Sequence, residues 1–202
     1  MRGCDLGLVR LVLVWGVCVS ALAQDADLEA LFASPLENRA AIVAGVDEAE
    51  ASYKKRVTIE PLLFGVLRSG SQSRGAKEFI GQQLYRIVDE DSVAELTKLL
   101  YRRGTGDIAR RGLEIIDHSD AHDALMDALR KVTGSTLTGG IESLGRRRNA
   151  ESVRPLRGFV QSGNSAVVEA ALIALGEIGG ADAAQLLGMS RLNVRRSLRS
   201  AA

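Results

Sequence analysis

Between Val167 and Leu187 the apolar residues recur at three- and four-residue steps. Val168, Ala171, Leu172, Leu175 and Ile178 fall on one side of a helix, with Glu169 and Glu177 opposite. Gly179 and Gly180 stop that helix, because glycine alone takes the left-handed backbone of a helix end at no steric cost. A second apolar run then starts at once. The same pattern lies upstream: Leu187, Leu156, Leu125 and Leu96 follow one another at steps of 31, 31 and 29 along the chain. Each leucine follows a polar turn and a small or β-branched residue near a helix start. Ala121, Ala150 and Ala181 are read as closing those turns at a common phase.

A period of about 30 residues carrying two helices is the mark of a repeat array. The pattern predicts helix pairs near 91–102 and 105–117, 120–132 and 135–146, and 149–161 and 164–178, with a partial unit from 181. The turn chemistry agrees. Ser92-Val-Ala-Glu95 reads as a capping box and Ser34-Pro35-Leu36-Glu37 as another. Asn149 and Asn164 read as N-caps. Upstream the pattern is weaker. Helices near 25–33 and 35–52 precede YKKRV, and TIEPLLFGVLRSG and SRGAKEFIGQQLYRIV then read as a degenerate pair. Leu63, one slightly longer step before Leu96, marks it as an earlier unit.

The first residues change the picture of where the chain acts. Arg2 and Arg10 precede the apolar run Leu11–Val19, and Ala21-Leu22-Ala23 offers a signal-peptidase site. The reading is a signal peptide over 1–23, a helical N-terminal cap and degenerate repeat over 24–89, and repeats over 90–202 with the last incomplete. The competing reading is an uncleaved anchor, but the run is shorter than a spanning helix needs, so export to the periplasm or the cell exterior is expected. No integral membrane segment is expected after cleavage. Cys4 and Cys18 leave with the signal, so the mature chain has no disulfide or thiolate chemistry. Arg2, Arg10 and Asp5 leave too, and the 26 basic and 25 acidic residues become 24 and 24. A balanced charge gives no reason to bind nucleic acid. Aromatics are 4% of the chain, so the core is built from Leu, Ile, Val and Ala.

The stretch SVRPLRGFVQSGNSAVVEAALIALGEIGGADAAQLL, with Pro155 inside a first helix and a V..AA..ALG.IGG second helix, resembles HEAT repeats. In particular it resembles the short HEAT-like repeats named after phycobilisome lyases. The run from Ile108 to Val153 is similar to secreted bacterial HEAT-repeat proteins of the planctomycete and verrucomicrobial kind. The resemblance covers about half the chain, residues ~90–190. It implies an all-α, armadillo-like fold: a right-handed α-solenoid, or superhelix, of HEAT-like hairpins, with the second helices lining its concave side. It also implies a protein-interaction scaffold without catalysis or cofactor. The alternatives are an enzyme or enzyme subunit of the HEAT-like lyase/isomerase kind, or a shortened remnant of a larger repeat protein.

Few residues carry candidate chemistry. His118 and His122 stand four apart among Asp117, Asp120 and Asp123, ligand types that suit zinc. The competing reading is a solvated turn with Asp120 as an N-cap. Arg146, Arg147 and Arg148 form a basic turn, and Arg191, Arg195, Arg196 and Arg199 a basic tail; both are candidate contacts to a protein partner. The competing reading for the triplet is favourable charge at a helix C-terminus. SRLNVRRSLRSAA opens like a further second helix, which would suit end-to-end self-stacking. Tyr85, Tyr101 and Phe159 are expected in the core, and Gly139-Gly140 at a close helix contact. No catalytic constellation is expected.

Overall fold

The computed structural model describes residues 32–189, and no strand occurs among them. The chain divides into two compact units, Met1–Ile87 and Val88–Ala202.

The first unit holds α1 (Arg39–Ala51), α2 (Tyr53–Arg68) and α3 (Arg74–Leu84), with α1 packed on α2 and α2 on α3. Ile42, Val46, Leu63, Leu67, Ile80 and Leu84 form its interior. Two expectations are corrected here. Ser34-Pro35-Leu36-Glu37 is a turn closed by Glu37 N–H on the Ser34 carbonyl (3.1 Å), and the helix starts only at Arg39. YKKRV is not a connection, and TIEPLLFGVLR does not start a new helix. Both belong to α2, which runs through Pro61. The proline is exposed, as is Val57, so the carbonyl that Pro61 cannot bond faces water. Burial of Ile59, Leu63, Phe64, Val66 and Leu67 on the other side offsets the lost bond. Just beyond α3, Arg86 reaches back to α1 and donates to Asp47 (2.6 Å) and Glu50 (2.8 Å).

The second unit is the repeat. First helices α4 (Val93–Leu100), α6 (Ser119–Ala128) and α8 (Val153–Val160) alternate with second helices α5 (Gly106–Ile115), α7 (Gly134–Arg147) and α9 (Ser165–Ile178). A further helical stretch covers 180–189. Each first helix packs on its own second helix, α4 packs on α6, and α5, α7 and α9 pack side by side in one layer. The leucine column of the first helices, Leu96, Leu125 and Leu156, is fully buried. A matching column runs through the second helices: Leu113, Leu144 and Leu175 stand 31 apart and are each 0% exposed. One register therefore spans three repeats.

That register corrects the small-residue column. Ala150 and Ala181 are exposed, whereas Ser92, Ala121, Ser152 and Ala183 are buried and stand 29, 31 and 31 apart. The capping box at the head of α4 also lies one turn early. Asp89 accepts from Asp91 N–H and Ser92 Oγ accepts from Asp89 N–H, both at 3.1 Å, around the 3-10 turn Glu90–Ser92. Asn149 and Asn164 cap as expected, accepting from Glu151 N–H (2.9 Å) and Ala166 N–H (3.0 Å). Gly179 and Gly180 have φ of 69° and 83°. The buried face of α9 is Val167, Ala170, Ala171, Ala174 and Leu175, which leaves Val168 and Leu172 half-buried at its edge. Tyr101 is not core: α4 ends at Leu100, and its ring is 45% exposed under the Lys131 ammonium.

Arg148 ends α7 in the left-handed conformation, φ 51°, where Gly179 ends α9. A side chain there meets its own carbonyl. Arg148→Gly is therefore expected to stabilise the chain by about 0.5–1 kcal/mol, read as a higher urea midpoint. A lower midpoint would show that the Arg148 side chain makes a contact worth more than the strain.

Candidate functional site

Buried charge marks the contact between α5 and α7. Arg110 lies where the register places Ile141 in α7 and Leu172 in α9, yet it is only 7% exposed. Its Nη1 donates to Ser143 Oγ (2.6 Å) and to Glu114 Oε2 (3.3 Å), and Ser143 Oγ donates to Glu114 Oε2 (2.6 Å). Gly139 leaves room for it: a Cβ there would stand 3.0 Å from Arg110 Nε. Gly140 likewise admits Leu129, in keeping with the close contact expected for the glycine pair.

Glu114 is the acceptor for the whole cluster. Arg146 donates to it from Nε (2.6 Å) and Nη2 (2.9 Å). Burial pushes its carboxyl up, but the hydrogen bonds from Arg146 and Ser143 and the charges of Arg146 and Arg110 outweigh that and hold it below the ordinary carboxylate value. The bond to Glu114 raises Arg146 in turn.

The basic triplet is thus mostly spoken for inside the fold. Arg147 Nη1 donates to the carbonyls of Leu113 (2.8 Å), Glu114 (3.1 Å) and Ile116 (2.5 Å), and Nη2 to that of His118 (3.0 Å). One guanidinium satisfies the carbonyls that α5 leaves open at its C-terminus, which no intrahelical N–H can reach. Arg148 is exposed beside it. Arg195 and Arg196 lie outside the described residues.

The two histidines have separate roles. His118 is the N-cap of α6, its Nδ1 accepting from Asp120 N–H at 3.2 Å, so it takes the position that Asp120 was expected to hold. His122 is buried in the α6 core face, 2% exposed. Among the described residues no three His, Cys, Asp or Glu are gathered to hold a metal ion.

The outer face of the second-helix layer follows the register as well. Arg111, Glu142 and Ile173 stand 31 apart, each one helical turn from the next outward row of its helix. Arg111 and Ile173 are exposed, as are Ile115 and Arg146 in the row beyond. Next to Ile173 lies an open groove of about 550 Å³, floored by Val168 and Leu172 and edged by Ser162, Ser165 and Glu169. Sequence reading missed Arg110, Glu114 and Ser143. The signal was present, since aligning the second helices by the repeat period puts a charge at Arg110 where its counterparts are apolar.

Paired helices in two layers, advancing by a fixed register, define a helical repeat protein. Residues 123–202 match the family model of HEAT repeats, and the all-helical fold of the described residues supports a HEAT-repeat protein. None of the curated proteins matches it. HEAT repeats form a helical scaffold, and no helix among the described residues is long and apolar enough to cross a membrane.

Proposed function

We propose that the protein is an exported scaffold that holds a protein partner against the outer face of α5, α7 and α9, in a stack with the right-handed curl of an α-solenoid. The observation that carries this reading is the face itself. Outward side chains recur at one register across three helices, basic at the α5 side with Arg111 and apolar at the α9 side with Ile173 and its groove. The partner chemistry it suits is a segment with an apolar anchor for the groove and a carboxylate for Arg111. Such an anchor contributes most where it fills a pocket and excludes water. Catalysis is not part of the proposal. The basic tail at Arg195 and Arg196 is a second proposed contact.

Capture from an exported-protein extract tests the reading, with Ile173→Asp and Arg111→Glu as controls. Both side chains are exposed, so both variants keep the native thermal midpoint. The native chain is expected to retain a discrete partner that each variant binds about tenfold more weakly. A folded chain that captures nothing, or variants that capture as well as the native chain, would overturn it. Export is tested separately. N-terminal sequencing of the secreted chain is expected to begin at Gln24, and recovery of the chain only in the cytoplasm with Met1 intact would remove that half of the proposal.

A further inference from the structure

His122 stands in a column that is otherwise apolar. Its counterparts in the first helices before and after it are Val93 and Val153, one repeat away on either side, and all three are buried. Its imidazole Nδ1 is buried without a hydrogen-bond partner among the described residues. A neutral imidazole tolerates such a place at modest cost, whereas an imidazolium there would be a desolvated charge.

The surroundings decide what a proton would do. From α7, the Arg147 guanidinium brings its charge to His122. It shares one carbonyl with the His122 backbone: His118 O accepts both Arg147 Nη2 (3.0 Å) and the His122 backbone N–H (3.4 Å). Glu151, from the turn before α8, and Asp123, on α6 itself, bring the opposite charge. Burial lowers Arg147 below its ordinary value, and the charges of Asp117 and Glu114 offset part of that. Of the charges acting on His122, the strongest is thus the cation that fastens α7 to the end of α5.

We propose that His122 is an acid-sensitive latch in the repeat stack: its protonation sets a second cation against Arg147 and loosens the joint between α5, α6 and α7. The latch is closed at neutral pH, with the imidazole neutral and Arg147 spanning the carbonyls of Leu113, Glu114, Ile116 and His118. In acid the like charges must separate, and the bonds made by Arg147 are those at the seam. The sign follows from linkage. Burial first, then Arg147, push His122 below its ordinary value of 6.5, against the weaker pull of Asp123 and Glu151. The unfolded chain therefore takes up the proton first. The stability contributed by the neutral imidazole is complete above 6.5 and is lost as pH falls below it toward the folded value.

The test compares thermal midpoints of the full chain at pH 7.5 and pH 5 for the native protein, His122→Val and His118→Asn. Val is the residue that the neighbouring repeats carry at this position, and Asn can cap α6 as His118 does. The native chain and His118→Asn are expected to lose several degrees, about 4 °C or more, that His122→Val does not lose. Equal losses in all three would overturn the latch. An NMR titration of the native chain needs no variant: the His122 ring is expected to titrate below its ordinary value of 6.5, and a His122 midpoint at or above 6.5 would also overturn it.

Discussion

Gly145→Ala is expected to destabilise the repeat unit by about 2–3 kcal/mol. Gly145 lies where α7 meets α9. A Cβ there would stand 2.6 Å from the Ala174 Cα, 2.9 Å from its Cβ and 2.5 Å from Glu177 Oε2. Two of these atoms belong to Ala174, which cannot swing aside, so one methyl has to push two helices apart. Interiors packed to this density do not absorb the shift locally. The register supplies the control. Gly176, one repeat further on, occupies the same place in α9 and has nothing among the described residues within 4 Å of its Cβ position. Gly176→Ala therefore gains helix propensity, about 1 kcal/mol, without a clash. Gly140→Ala meets only the end of Leu129 Cδ2, at 2.7 Å, and should fall between the two. Urea midpoints measure all three. Equal effects at Gly145 and Gly176 would mean that the α7–α9 contact is looser than the geometry makes it.

The contrast between those glycines explains how far the sequence could be read. Its period was legible because repeats bury one stripe per helix, and Leu96, Leu125 and Leu156 each had to be apolar for that reason. The boundaries of the six paired helices in the second unit follow from the stripe, the turns and the Asn caps to within a few residues. What failed were features set by contacts outside the local window. Pro61 is a stop signal in isolation, yet α2 passes through it because its lost bond faces water and its other side is buried. Ser92 has the residue type of an N-cap but is drawn into the preceding turn by Asp89. The triplet Arg146, Arg147 and Arg148 looks like a free basic surface, and only the fold brings the open end of α5 within reach of Arg147. Ile173 was visible as an apolar residue. That it faces outward follows from the burial of Val167, Ala170, Ala171, Ala174 and Leu175 on the opposite side.

Glu114→Ala is expected to cost more than any single glycine change, about 3–5 kcal/mol. The loss does not come from an attractive pair that is simply removed. It comes from Arg110, whose side chain is 8% exposed and would keep its charge with only Ser143 and the distant Asp107, 3.7 Å from its Nε. Arg146 is 42% exposed and can turn to water, so it adds little. The double variant Arg110→Leu with Glu114→Ala separates these contributions. Leu172 and Ile141 show that the column accepts an apolar side chain, and replacing a buried pair by packing is often neutral. The double variant should recover to within about 1 kcal/mol of the native chain, a coupling that a double-mutant cycle reads directly. The acid limb gives an independent check. The Glu114 carboxyl is held below its ordinary value of 4.5, so its contribution is complete above 4.5 and fades as pH falls through the folded value. Glu114→Ala should flatten the native stability curve below pH 4.5 and leave the His122 limb above it in place. If Glu114→Ala costs less than about 1 kcal/mol, Arg110 reaches solvent, and the charge between α5 and α7 is a surface feature that the helices can do without.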